Sequence, residues 1–155
     1  MSAKYDDVSW HNGAAEYPKD LADEAAATHT GMFIAWALLS GLSGELHTKD
    51  MPDSVLRLQA RSVTPGQFFL ECDGKFVDED LNGEGNAFTQ AYFDLDKGRY
   101  LKDYDAVLCR GFATAYHVPD TWENFDKLKP LLDRRLAEWR RGELGRKPWW
   151  KFWES

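Results

Sequence analysis

Apolar residues recur along this chain mostly at helical intervals. The clearest stripe is Trp122, Phe125, Leu128, Leu132, Leu136 and Trp139, in steps of three and four. Asp120 stands where a helix N-cap would, with Glu123 able to reach back to it, and Gly142 supplies a stop. Pro130 falls inside the stripe. It lacks an amide hydrogen and crowds the carbonyl of Asp126, so a kink or a split is expected there. A second stripe, Phe88, Ala91, Tyr92 and Leu95, predicts a helix capped by Asn86. After a break at Gly98, Tyr100, Leu101, Tyr104, Val107 and Leu108 predict another.

Residues 25–42 carry no formal charge, and Phe33, Ile34, Trp36, Ala37 and Leu38 occupy almost the whole circumference of a helix. A helix over 21–40 is expected to form the buried centre. Asp20, Asp23 and Glu24 suit its N-terminal end, and Gly31 lets a neighbour approach. Only 32–39 is continuously apolar, far short of the ~20 residues a membrane span needs. Pro52 opens a short helix with Val55, Leu56 and Leu58. Thr64-Pro-Gly-Gln67 has the form of a capping box, and its helix would turn Phe68, Phe69 and Cys72 inward. Residues 43–50 and 78–84 read as loops, and 112–118 is the one credible extended piece. These elements predict an all-α fold: a single compact multi-helix domain over 1–155. It divides into an irregular N-terminal segment 1–19, a helical body 20–142 and a basic, Trp-rich tail 143–155.

Charge changes the picture more than composition does. The net charge of −7 hides a split. Residues 1–126 hold 22 acids and 10 bases, a balance of −12, whereas 127–155 hold 9 bases and 4 acids, a balance of +5. Trp139, Trp149, Trp150 and Trp153, four of the seven tryptophans, lie in the basic part. An acidic body disfavours nucleic acid and anionic membranes, so neither is an expected partner. The basic segment is expected to fold onto it. The acid left uncovered would suit a basic protein partner, with Asp73, Asp78, Glu79, Asp80, Glu84, Asp94, Asp96, Asp103 and Asp105 as candidate contacts. Residues 1–10 hold no apolar signal stretch, and Cys72 and Cys109 form no CxxC pair. A cytoplasmic protein with free thiols is the expectation.

Motifs for chemistry are sparse. Asp78-Glu-Asp80-Leu-Asn82-Gly83 matches the opening half of a calcium loop, but Thr89 stands where a bidentate Glu is needed, so an acidic loop is the better reading. Gly83-Glu-Gly85 lacks the third glycine of a dinucleotide fingerprint. Of His11, His29, His47 and His117, none pair at helical spacing. His29, among Ala and Thr, reads as a partly buried histidine satisfied by hydrogen bonds. His11, His29 and His117 could still converge in space with Asp6, Asp7 or Asp120, and a metal-binding protein or metal-dependent enzyme built on these three histidines is the alternative function. A homo-oligomeric scaffold assembled through the Trp-rich tail is a third. No cofactor and no catalytic residue are otherwise expected. Tyr5 and Trp10 in the polar leader predict an ordered segment, with Trp10 seated in a groove.

Three segments carry a resemblance: Lys4-Tyr-Asp-Asp-Val-Ser-Trp-His11, Ala25-Ala-Ala-Thr-His-Thr-Gly-Met-Phe-Ile-Ala-Trp36, and Asp120-Thr-Trp-Glu-Asn-Phe125 leading into Leu132-Asp-Arg-Arg135. With Asp78-Glu-Asp-Leu-Asn82 and Gly85-Asn-Ala-Phe88 between them, they resemble a family of small bacterial cytosolic proteins of unknown function, over residues 4–141. The resemblance assigns no catalytic residue. In its general character the chain is similar to the immunity proteins of polymorphic toxin systems, which bind a cognate toxin and block its active site. That similarity implies a protein-binding module, not an enzyme, whose partner is a toxin with a basic surface.

Overall fold

The structure, a computed structural model, describes residues 3–94 and 98–144. It is mostly helical with one small sheet. Strand β1 is Lys4–Asp7, followed by the single turn α1, Ser9–Asn12. The central helix α2 is Thr28–Leu39; then come α3, Asp53–Gln59, and α4, Pro65–Glu71. Strand β2, Lys75–Val77, precedes α5, Gly83–Tyr92; α6, Tyr100–Leu108; and α7, Trp122–Arg140.

Helix α2 is enclosed on every side: each residue from Thr28 to Leu38 is buried. Phe33 is its hub, with its ring within 4.8–6.3 Å of the rings of Trp36, Phe76, Phe88, Tyr92, Phe93 and Tyr100. Such offset and edge-on pairs add to the burial of large aromatic area. Gly31 sits against α4, whose start is the expected capping box: the Thr64 hydroxyl accepts from the Gln67 amide and the Gln67 side chain accepts from the Thr64 amide.

Several elements differ from the sequence reading. The central helix is shorter, because 23–27 tightens into a 3-10 turn before α2 begins. The extended structure lies elsewhere: β1 and β2 pair antiparallel, whereas Ala115–His117 is a 3-10 turn. Asn82, not Asn86, caps α5, accepting from the Gly85 amide at 2.8 Å. Thr121, not Asp120, caps α7. Asp120 instead accepts from the Thr64 hydroxyl at 2.6 Å and the Gly66 amide at 2.9 Å, which ties the start of α7 to the start of α4. Helix α7 runs unbroken through Pro130, which is exposed, so water can serve the carbonyl its missing amide leaves. Trp10 is 50% exposed, with the Lys4 ammonium 5.4 Å from its ring centroid, and forms part of the wall of an open pocket with Tyr5, Gln90 and Phe93.

The described part of the basic segment lies on the acidic body: Arg135 pairs with Asp103 and Arg140 with Glu84. Cys72 and Cys109 are both free. Asp96, Trp149, Trp150 and Trp153 lie outside the described residues. No helix among the described residues is long and apolar enough to cross a membrane.

Candidate metal centre

The strand pairing sets Asp6 opposite Phe76 and Asp7 opposite Lys75, with a register shift between Lys4 and Asp6. Asp6 and Asp7 are both buried although successive side chains point to opposite faces, so β1 is covered on both faces at this end. Asp7 then organises the next turn. Its carboxylate accepts from the Ser9 amide at 3.0 Å and the Ser9 hydroxyl at 2.7 Å, which starts α1. Burial pushes the Asp7 carboxyl up, but the Ser9 hydroxyl, the Lys4 ammonium and the Ser9 amide outweigh it and bring it down to about 2.

Helix α1 turns His11 back onto Asp6: Nε2 lies 2.8 Å from Oδ1. The N-terminal turn of α2 approaches from the other side. The Thr30 hydroxyl donates to Asp6 Oδ2, and His29 Nε2 lies 3.7 Å from that oxygen. The two imidazoles meet edge to face, centroids 4.6 Å apart at 89°. One donor atom from each of Asp6, His11 and His29 lies within 4.8 Å of the other two.

The electrostatics suit a ligand set. His29 is fully enclosed, and burial pulls its pKa down to about 4, against the Asp6 charge. It is therefore neutral at pH 7, and its Nδ1 has no hydrogen-bond partner among the described residues. A neutral imidazole with an uncommitted nitrogen is the form that binds metals. A carboxylate only accepts, so its contact with Asp6 calls for a hydrogen on His11 Nε2; in that tautomer Nδ1 accepts from the Tyr116 hydroxyl at 2.8 Å. Burial, with the Asp6 charge behind it, raises the Tyr116 phenol and keeps it protonated.

Tyr116 is held by the turn that carries it. The Thr114 side chain accepts from the Tyr116 amide, and His117 bonds both Thr114, at 2.8 Å, and Asp20, at 3.0 Å. The structure thus brings His11 and His29 together with Asp6 and leaves His117 outside, as the clamp of the Tyr116 turn. A pocket of about 350 Å³ opens beside the cluster, lined by His11, His29, Leu101, Lys102, Asp105, Ala115 and Tyr116. The Tyr104 ring stands 6.3 Å from His29, and its buried hydroxyl also has no partner among the described residues.

The acidic candidates divide. Asp80 is buried, bonding His47 at 2.7 Å and the Val77 amide at 2.9 Å. Asp103 is buried against Tyr92 and Arg135. Asp78 is half-buried, and Glu84 pairs with Arg140. Asp73, Glu79, Asp94 and Asp105 are exposed. Asp80 and Asn82 use their oxygens inside the fold, so the half calcium motif forms a turn and a helix cap.

Sequence reasoning did not single out Tyr116 or Thr30. One signal was there for Thr30: Thr28-His29-Thr30 is a polar triplet inside the chain's longest uncharged run. Tyr116 had none, since its neighbour His117 drew the attention.

The family described as "Domain of unknown function (DUF7832)" matches residues 4–118, a span that includes Asp6, His11, His29 and Tyr116. No curated protein and no solved structure matches the chain.

Proposed function

The chain belongs to the DUF7832 family of unknown function, and from the geometry of its histidine cluster we propose that it is a divalent-metal-binding protein centred on Asp6, His11 and His29. The observation that carries the reading is the convergence of one carboxylate and two imidazoles, their donor atoms within 4.8 Å of one another, with both imidazoles lining a pocket. Two imidazoles and a carboxylate suit first-row ions such as Zn²⁺ and Fe²⁺. Three protein ligands leave a coordination position for a small molecule, the pattern of catalytic rather than structural sites. The Tyr116 hydroxyl on His11 is the outer contact that commonly orients a ligating histidine. Calorimetry of the metal-stripped protein with Zn²⁺ tests this. One ion per chain is expected. His11→Ala should weaken binding about 100-fold or more, since loss of even an outer-shell partner costs 10- to 100-fold, and His117→Ala, which removes no ligand, should weaken it far less. Absence of binding, or equal binding by His11→Ala, refutes the reading.

A second reading has its own observation. Asp73 and Glu79 in the acidic stretch, with Asp94 and Asp105, are exposed. We propose them as the contact carboxylates if the domain acts as an immunity protein against a toxin with a basic surface. Co-purification with the product of the neighbouring gene, lost on charge reversal at Asp73 and Glu79 together, is the expected result. A confirmed complex indifferent to that reversal removes the surface from consideration.

A further inference from the structure

Resting on the metal reading, we infer that ion binding turns Tyr116 from a donor to His11 into a donor to whatever fills the pocket, and that the occupant is a small, largely apolar carboxylate. The argument starts from His11, whose two ring nitrogens are both committed. Nε2 faces Asp6 Oδ1 at 2.8 Å, and Nδ1 faces the Tyr116 hydroxyl at 2.8 Å. Without an ion, the Asp6 carboxylate, which can only accept, calls for the hydrogen on Nε2, and the tautomer this selects takes its Nδ1 hydrogen bond from Tyr116.

An ion held between Asp6 and His11 needs the Nε2 lone pair. The imidazole stays neutral, so its one proton moves from Nε2 to Nδ1 by exchange with water. Nδ1 then becomes the donor and the Tyr116 oxygen the acceptor. The phenol keeps its own hydrogen, which must turn away from His11. Tyr116 lines the pocket, and an acceptor there is the partner this hydrogen would find.

The walls specify the rest of the molecule. Leu101, Ala115 and the edges of the aromatic rings are apolar, and about 350 Å³ holds a single-ring compound. Lys102 favours an anion and Asp105 opposes one. The added positive charge of the ion decides between them, so a carboxylate fits where a cation does not.

Two measurements test this, with Zn²⁺ as the ion and benzoate as the probe. On ¹⁵N-labelled wild-type protein, the ring nitrogens of His11 should report hydrogen on Nε2 without zinc and on Nδ1 with it. Zinc-loaded wild type should bind benzoate, and zinc-saturated Tyr116→Phe should bind it about 10-fold or more weakly, the worth of one hydrogen bond to a charged acceptor. The nitrogen assignment and benzoate binding to the wild type need no variant, so together they test the inference even if Tyr116→Phe folds poorly. If zinc binds but the proton stays on Nε2, if benzoate does not bind, or if Tyr116→Phe binds it equally, this inference is overturned and the metal reading stands. If zinc does not bind, both fall.

Discussion

Gly31 of α2 and Pro65 of α4 approach more closely than any side chain would permit: a β-carbon on Gly31 would stand 2.5 Å from the Pro65 carbonyl oxygen. It would also lie 2.9 Å from the Gly66 α-carbon, so backbone would have to shift. Gly31→Ala should cost about 1–3 kcal/mol, the usual range for overpacking a close contact. Urea unfolding measures it. Because His29 and Thr30 are the neighbouring residues, the variant should also weaken zinc binding.

Asp6 is a structural acceptor even without an ion. Its fully buried carboxylate takes hydrogen bonds from the Asp7 amide, the Thr30 hydroxyl and His11. An asparagine presents a donor to one of those donors. Asp6→Asn should therefore lower the stability of metal-free protein by about 1–3 kcal/mol, the cost of a buried group left unsatisfied. An unchanged denaturation midpoint in the presence of chelator contradicts this.

Asp103 predicts an acid-sensitive contact. Burial pushes its carboxyl up, but Arg135 at 2.8 Å and the Tyr92 hydroxyl at 2.6 Å more than reverse that, so it titrates below its ordinary value. A carboxyl depressed in the fold contributes stability above its unfolded pKa, near 3.9, and loses it as pH falls toward the folded value. Wild type should exceed Asp103→Asn in stability at pH 7. The gap should close below about pH 4. A gap that stays constant down to pH 3 assigns the effect to packing instead.

Pro130 should be removable at a gain. The helix continues through it, and the residue is exposed. Pro130→Ala restores an amide donor and should raise stability by up to about 3 kcal/mol, the helix-interior difference between the two residues. Thermal unfolding checks the sign.

The sequence was most legible where a pattern repeats. The stripe from Trp122 to Trp139 is α7, and the Thr64–Gln67 box opens α4. It was least legible where an element is too short to repeat: four residues of β1 and three of β2 show no alternation to read. Caps were misplaced by one residue at Asp120 and by four at Asn86, since polar residues stand at each site and only tertiary partners choose between them. The candidate site was half visible. His11 and His29 are named by residue type alone, but His117 was equally good on paper. What separates them is three-dimensional: α1 turns His11 back toward Asp6, whereas His117 faces Asp20.

The pairing of β1 with β2 also orders events in time. Asp6 and His11 precede by some 70 residues the strand that anchors them, Lys75–Val77. Closing so long a loop is entropically slow compared with winding the local helices. Strand β1 must therefore wait, unpaired, until the chain has reached β2, and the three ligands meet only at that later docking. Occupancy of the centre by an ion would then mark a chain whose folding is finished.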